Sequence, residues 1–247
     1  MNTKIAIVIP CHLNSKRYPK KILLDIYGLP MIEHVRRRAF LSKKIKKIYV
    51  TTCDDIISRN LSRYNVKTIK TSKKHKNATT RVEEALNSIN CSHVILLNGD
   101  EPLVLPYYLD KLYYNITENP EVKAWNLTAP IKHNKEFIDK SIVKCKLNSK
   151  NNIINLYRRI NHKKIINRIN HRKVLGILAF RKDFLKKLVK LNESQNEIKY
   201  SIEQFRLIDN NFKIRSVKVR KTLVSINEKK DLDLVKKELT YNTLQKQ

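Results

Sequence analysis

Short β-branched apolar runs and amphipathic helical stretches alternate from the first residues, and this alternation restricts the fold more than any other feature of the chain. "IAIVI" (5–9) reads as a buried strand cut off by Pro10. "PMIEHVRRRAFL" (30–41) spaces Met31, Ile32, Val35, Ala39 and Phe40 at helical intervals, behind a proline that helices accept at their start. The pair of signals repeats in "KIYVTT" (47–52) and "DDIISRNLSRY" (54–64). It repeats again in "VKTIK" (66–70) and "TTRVEEALNSI" (79–89), where a threonine is the candidate cap, and "HVILL" (93–97) adds a fourth buried strand. Strands and helices joined by short connections predict a three-layer α/β fold, with a mostly parallel sheet covered on both faces.

The second half is less regular. "AWNLTAPI" (124–131), "SIVKCKL" (141–147) and "KVLGILAF" (173–180) read as strands, and "RKDFLKKLVKL" (181–191), "SIEQFRLI" (201–208) and "KKDLDLVKKEL" (229–239) as helices. The stretch 151–173 is polar, basic and without clear period, so exposed or mobile chain is expected there. With 247 residues, no repeat and no Gly-, Pro- or Ser-rich linker, the expectation is one domain over 1–247 with a smaller sub-region inserted at about 124–180.

Charge is extreme, with 52 Lys+Arg against 22 Asp+Glu and a net charge of +30. A polyanion partner such as nucleic acid is one reading. The basic residues are spread along the whole chain alongside abundant Asn and Ile, which favours compositional drift over a dedicated binding face. The only aromatic cluster, "YYLDKLYYN" (107–115), has the spacing of helix core and not of a base-stacking platform. No apolar run is long enough to span a membrane, and Ile5–Ile9 is too short for a signal peptide. Four scattered cysteines without CxxC pairing fit free thiols in the cytoplasm.

Two loops carry chemistry. In an open parallel sheet, ligands bind beyond the C-terminal ends of the strands. After the first strand, "PCHLNSKRYPKK" (10–21) gathers Lys16, Arg17, Lys20 and Lys21 in a turn-rich stretch able to cradle phosphates, or simply to face solvent. After the fourth, "ILLNGDEPLV" (95–104) sets Asp100 and Glu101 between Gly99 and Pro102. Asp100 could hold the Mg²⁺ that phosphoryl chemistry needs, or the two acids could cap the helix starting near Leu105; the residues alone leave both open. The seven histidines show no metal-ligand spacing, and Cys11 is better explained as a small buried residue than as a nucleophile.

"IAIVIPCHLNSKRYPKKILLDIYGLPMIEHV", "HKNATTRVEEAL" and "ILLNGDEPLV" together resemble the CMP-Kdo synthetases, the 3-deoxy-manno-octulosonate cytidylyltransferases. Their motifs read IPARxxSxRLPxKPLxxIxGxPMI, HxSGTDR and QGDEPLI. The likeness continues through "NLTAPI", "SIVKC", "VLGILAFRKDFL" and "SIEQFR". It implies a Rossmann-like nucleotidyltransferase fold whose sub-region at 124–180 serves acceptor binding and dimerisation. It implies transfer of CMP from CTP to the anomeric hydroxyl of Kdo or a related ulosonic acid, with Mg²⁺ and release of pyrophosphate, a cytoplasmic step in lipopolysaccharide biosynthesis. His12, Ser15, Arg17, Lys21, Thr79 and Arg81 would bind the nucleotide; Arg17, Lys21 and Asp100 would be catalytic; Asn98, Arg159, Glu203 and Gln204 would bind the acceptor; Asp100 and Asn227 would hold the metal.

Departures cluster in the same places. His12 stands where the family has an arginine, Lys20 where it has a glycine, Ala78 and Thr80 where it has Gly and an acid, and Asn98 where it has glutamine. In "SINEKKDL" (225–232), Asn227 replaces the second metal-binding aspartate, giving an amide oxygen without charge. Val174 and Leu178 replace a histidine and a tyrosine of the acceptor site. A degenerate, non-catalytic relative and a basic nucleic-acid-binding protein are the competing readings.

Overall fold

The computed structural model describes residues 3–15, 17–160 and 170–244, so Lys16 and the 161–169 part of the basic stretch lie outside the described residues. The chain divides into two units, Met1–Tyr113 with Leu223–Gln247, and Tyr114–Thr222. The sub-region expected at 124–180 falls within the second.

In the first unit, β1 (Ile5–Cys11) is buried along its whole length. A tight hairpin follows, β2 (Asp25–Ile26) and β3 (Leu29–Pro30), whose turn residues Tyr27 (φ 52°) and Gly28 (φ 79°) both take the left-handed backbone that such turns demand. Then come α1 (Met31–Phe40), β4 (Ile48–Thr52), α2 (Asp55–Ser62), β5 (Thr68–Lys70), α3 (Ala78–Ala85) and β6 (His93–Leu97). The strands order β5-β4-β1-β6, every pair parallel. β1 runs through Pro10 instead of stopping before it. Pairing with β6 ends at Val8, and beyond that point β1 is held by β4, reaching Cys11 opposite Thr52. The cap of α3 is Asn77, not a threonine: its Oδ1 accepts the Thr80 backbone N–H at 2.9 Å, and Thr79 sits inside the first turn.

Helix α4 (Pro106–Glu118) carries Tyr108, Leu109 and Leu112 inward, which fits the helix-core spacing of its tyrosine-rich stretch. The second unit contains β7 (Ala124–Pro130), α5 (Asn134–Ile138), β8 (Lys144–Leu147), β9 (Asn152–Tyr157), β10 (His171–Arg181), α6 (Lys182–Leu188), α7 (Gln195–Tyr200), α8 (Phe205–Asp209) and β11 (Ile214–Lys218). Here the expected parallel sheet is corrected. β10 pairs antiparallel with both β7 and β8, β8 with β9, and β9 with β11; only β11–β7 is parallel. These pairings run round in a ring, although β9 meets β11 only through Ile153–Ile214 and Asn152–Arg215, and β8 meets β10 only over residues 171–173. The architecture is thus mixed α/β.

Two further expectations are corrected. Residues 152–157 form a strand, not exposed irregular chain; the β8–β9 register skips Ile154, so Ile153 and Leu156 are buried with two exposed residues between them, and the two-residue period is lost. The helix expected at 201–208 begins only at Phe205, because Ser201 turns left-handed (φ 52°) after α7 and α8 starts afresh. The chain re-enters the first unit at Leu223 and ends in α9 (Lys229–Leu244). Among the described residues, no helix is long and apolar enough to cross a membrane.

Candidate active site

In the first unit the chain steps outward from β1 to β4 and β5, then returns to the other side of β1 with β6. The loops leaving β1 and β6 therefore diverge at the point where strand order reverses, where open α/β sheets bind ligands. After β1, Leu13 donates its N–H to Asp54 Oδ2 (2.9 Å), and the Lys20 N–H closes back onto Leu13 O (2.9 Å). Lys20 holds φ 58°, a left-handed conformation that glycine adopts freely and lysine adopts at a cost of about 1 kcal/mol. Ser15 lies inside this turn, half-buried, with its N–H on Leu13 O (3.0 Å).

The turn delivers Lys21 inward, to 8% exposure. Its Nζ donates to Asp100 Oδ2 at 2.6 Å and to the Ile226 carbonyl at 2.8 Å. The Ile226 N–H in turn donates to Asp100 O at 3.0 Å. Asp100 thus engages Lys21 through Oδ2, a contact that neither sequence reading of that acid had included. Gly99 is required by close approach. A Cβ there would lie 3.1 Å from Ile22 Cδ1, 3.2 Å from the Pro10 carbonyl oxygen and 3.3 Å from Ile32 Cδ1. Next to Ile226, Asn227 is half-buried; its Oδ1 accepts from the exposed Arg17 at 2.7 Å, and its N–H donates to Asp231 Oδ2 at 2.8 Å. Arg17, Lys21, Asp100 and Asn227 are therefore brought together by three segments far apart in sequence.

Arg81, 4% exposed, reaches from α3 to Thr71 Oγ1 (2.8 Å) and the Ser72 carbonyl (3.3 Å), with half-buried Thr79 two residues before it. On the same loop, His75 pairs with Glu84, whose carboxylate also accepts the Ser72 N–H. The His12 side chain is open to solvent, yet desolvation by its neighbours, then the charge of Arg81, hold the imidazole below its ordinary pKa. Burial pushes the Cys11 thiol up to about 12, so it is no nucleophile.

The second unit holds the expected acceptor residues Arg159, Glu203 and Gln204, whereas Asn98 belongs to the first and is half-buried at the end of β6. Arg159 is exposed and Glu203 half-buried. Gln204 donates its Nε2 to Asn126 Oδ1 at 3.0 Å. Leu178 faces Asn126 and Val174 faces Thr128 across the β7–β10 ladder. Arg158, which the sequence reading passed over, forks onto the carbonyls of Tyr200 (2.8 Å) and Ser201 (2.7 Å), just before the Glu203–Gln204 pair. Asn126 was also missed, although a lone amide within an apolar strand is a legible signal. The Ile226 carbonyl left no sequence signal at all.

Hard oxygen donors suit a divalent cation. Among the described residues Asp100 Oδ1 takes no hydrogen bond, and Asn227 follows Ile226, whose N–H is bound to the Asp100 carbonyl, while its own amide oxygen accepts from Arg17. Two protein oxygens match a Mg²⁺ that draws its remaining ligands from phosphates and water. Among the described residues there is no group of three or more His, Cys, Asp or Glu fit to enclose a metal alone.

Comparison with known proteins agrees with this geometry. A solved structure titled CMP:2-keto-3-deoxy-manno-octonic acid synthetase complexed with CTP superposes with a TM-score of 0.90 at 29% identity, covering 97% of this chain and all of that one. The fold is that of a nucleotidyltransferase. A 3-deoxy-manno-octulosonate cytidylyltransferase of Chlorobium phaeobacteroides is 32% identical over 94% of this chain and 96% of its own length. An 8-amino-3,8-dideoxy-manno-octulosonate cytidylyltransferase of Shewanella woodyi is 30% identical over 85% and 88%. The family described as cytidylyltransferase matches residues 6–226, and the chain belongs to it.

Proposed function

We propose that this protein couples CTP to Kdo or a closely related ulosonic acid, such as the 8-amino analogue, giving the CMP-sugar and pyrophosphate. The observation that carries this reading is Lys21, an almost buried ammonium bridging the Asp100 carboxylate and the carbonyl that precedes Asn227. An ammonium held so close to a carboxylate is poised to exchange part of that contact for phosphate oxygens. Arg17 and Lys21 bind the triphosphate, the Ser15 turn positions it, and Thr79 and Arg81 face the nucleoside side. Asp100 and Asn227 would hold Mg²⁺, which supplies neutralisation of the phosphate charge. Glu203, Gln204, Arg159 and Asn98 receive the sugar acid. The anomeric oxygen attacks the α-phosphorus in line, the bond to the β-phosphate oxygen breaks, and pyrophosphate leaves with its charge matched by Lys21 and Arg17. The acceptor's proton passes to solvent or a neighbouring carboxylate. A homodimer paired through 124–180 belongs to the same proposal.

The test is pyrophosphate release from CTP, UTP and dTTP with Mg²⁺ against a panel of ulosonic acids. Release with CTP and one or more of the acids supports the reading. Silence with every pair would leave a non-catalytic family member.

A further inference from the structure

Asn126 is the lone amide in β7 and is wholly out of solvent. Its Nδ2 donates to the carbonyls of Leu175 (2.9 Å) and Ile177 (3.0 Å), which flank Gly176 in the stretch of β10 where the register shifts between Val174 and Leu178. A carbonyl oxygen only accepts, so the NH₂ end of Asn126 must face these two. Asn126 Oδ1 therefore faces the other way, and there Gln204 meets it at 3.0 Å. That oxygen only accepts as well, so Gln204 must turn its own NH₂ inward. What remains is Gln204 Oε1, half-exposed and without a protein donor among the described residues.

The two ends of an amide side chain look alike, and their assignment usually rests on a choice between equivalent networks. Here the choice is forced by two backbone carbonyls acting through a second amide. Flipping Gln204 would set its oxygen against Asn126 Oδ1. Flipping both would set Asn126 Oδ1 against two carbonyls in a buried site, with the full desolvation penalty of each unpaired group. Leu178, opposite Asn126 in the ladder, leaves no competing polar side chain at that cross-strand position.

We propose that Asn126 is a positioning residue that locks Gln204 with its oxygen outward, so that the acceptor is read at this point as a hydrogen-bond donor, a hydroxyl or an ammonium group. This rests on the reading of Gln204 as an acceptor contact. An ether oxygen at the same place would meet an acceptor with an acceptor, and the amide could not turn to relieve it.

Initial-rate kinetics of the full chain test this, with CTP, Mg²⁺, Kdo and analogues in which each hydroxyl in turn becomes an amine or a methyl ether. For the unmodified protein, one position is expected to keep kcat/KM within about threefold as the amine while losing about tenfold or more as the ether. In Asn126→Ala the amine-to-ether ratio at that position should fall toward one and the acceptor KM rise, with the CTP KM unmoved. Because Asn126→Ala leaves two carbonyls unpaired and risks misfolding, Gln204→Met is measured beside it and should lose the same discrimination. The inference is overturned if no position separates amine from ether, if the separation survives in both variants, or if the KM values for acceptor and CTP rise together. Absence of turnover with any acceptor overturns the proposed function itself; turnover without discrimination overturns only the role of Asn126.

Discussion

Gly99→Ala isolates the link between packing and the candidate site. The added methyl would sit 3.1 Å from Ile22 Cδ1, 3.2 Å from Pro10 O and 3.3 Å from Ile32 Cδ1, all closer than the 3.4–4 Å of ordinary contact. Ile22 and Ile32 are 5% and 0% exposed, and the Pro10 carbonyl belongs to a fully buried strand, so none yields freely. Overpacking of this kind costs about 1–3 kcal/mol, and the loss of glycine's freedom in the unfolded chain returns about 0.4–1. The net expectation is a destabilisation of about 1–2 kcal/mol, a drop in Tm of roughly 2–8 °C for a protein of this size. Asp100 follows directly, so its contact with Lys21 is displaced and CTP binding should weaken by about three- to tenfold. Gly28→Ala is the control. It meets nothing within 4 Å but holds φ +79°, so it should cost about 1 kcal/mol through the backbone alone and leave CTP affinity unchanged. Denaturant titration and calorimetric CTP titration of both variants read these numbers. A Gly99→Ala protein as stable as the parent, with the parent's CTP affinity, would refute the packing argument.

Other outcomes follow from the charges. Lys144 is fully buried with its ammonium on the carbonyls of Asp139, Ile142 and Arg158, and burial pulls its pKa from 10.5 to about 8. Between about pH 8 and 10.5 the unfolded chain holds the extra proton, so this group adds stability as pH rises, about 3 kcal/mol across the window. The difference in unfolding free energy between parent and Lys144→Met, followed by denaturant titration over that range, should show this slope, and parallel curves would contradict it. His12, held below its ordinary pKa by desolvation and Arg81, with Lys21 acting alike and Asp54 and Asp100 opposing, carries little charge at neutral pH. CTP affinity should rise as pH falls through the imidazole's titration, and His12→Arg should raise affinity about fivefold while abolishing that pH dependence, as read by calorimetry. Asn227→Asp turns the Arg17 contact into a charged pair and adds a carboxylate beside Asp100. Binding of Mn²⁺ with CTP, followed by electron spin resonance, should tighten about tenfold, and unchanged binding would remove Asn227 from the metal site.

The first unit was readable because its strands are continuous apolar runs and its helices keep a clear period, so β6 was expected at its observed bounds and α1 and β4 within one or two residues of theirs. Asp100 and Lys21 were legible as a carboxylate and a cation at two strand ends, whereas their meeting over the Ile226 carbonyl was not, because a backbone oxygen has no residue signature. In the second unit the skipped residue Ile154 hid the period of β9, and the charged "IRSVK" of β11 concealed a strand with Ile214, Ser216 and Val217 buried. The ring of antiparallel pairs depends on contacts between segments distant in sequence, which local pattern does not encode. Gln204 came from resemblance alone, and the amide that orients it came only from the folded chain.

The most direct test of the central claim is calorimetric titration of CTP with Mg²⁺ into the parent and Asp100→Asn proteins. If Lys21 and Asp100 hold the loaded nucleotide, the parent binds one CTP per chain and the variant, still folded, binds at least about tenfold more weakly and loses its dependence on Mg²⁺. No heat from the parent, or equal affinity in both proteins, would contradict the account.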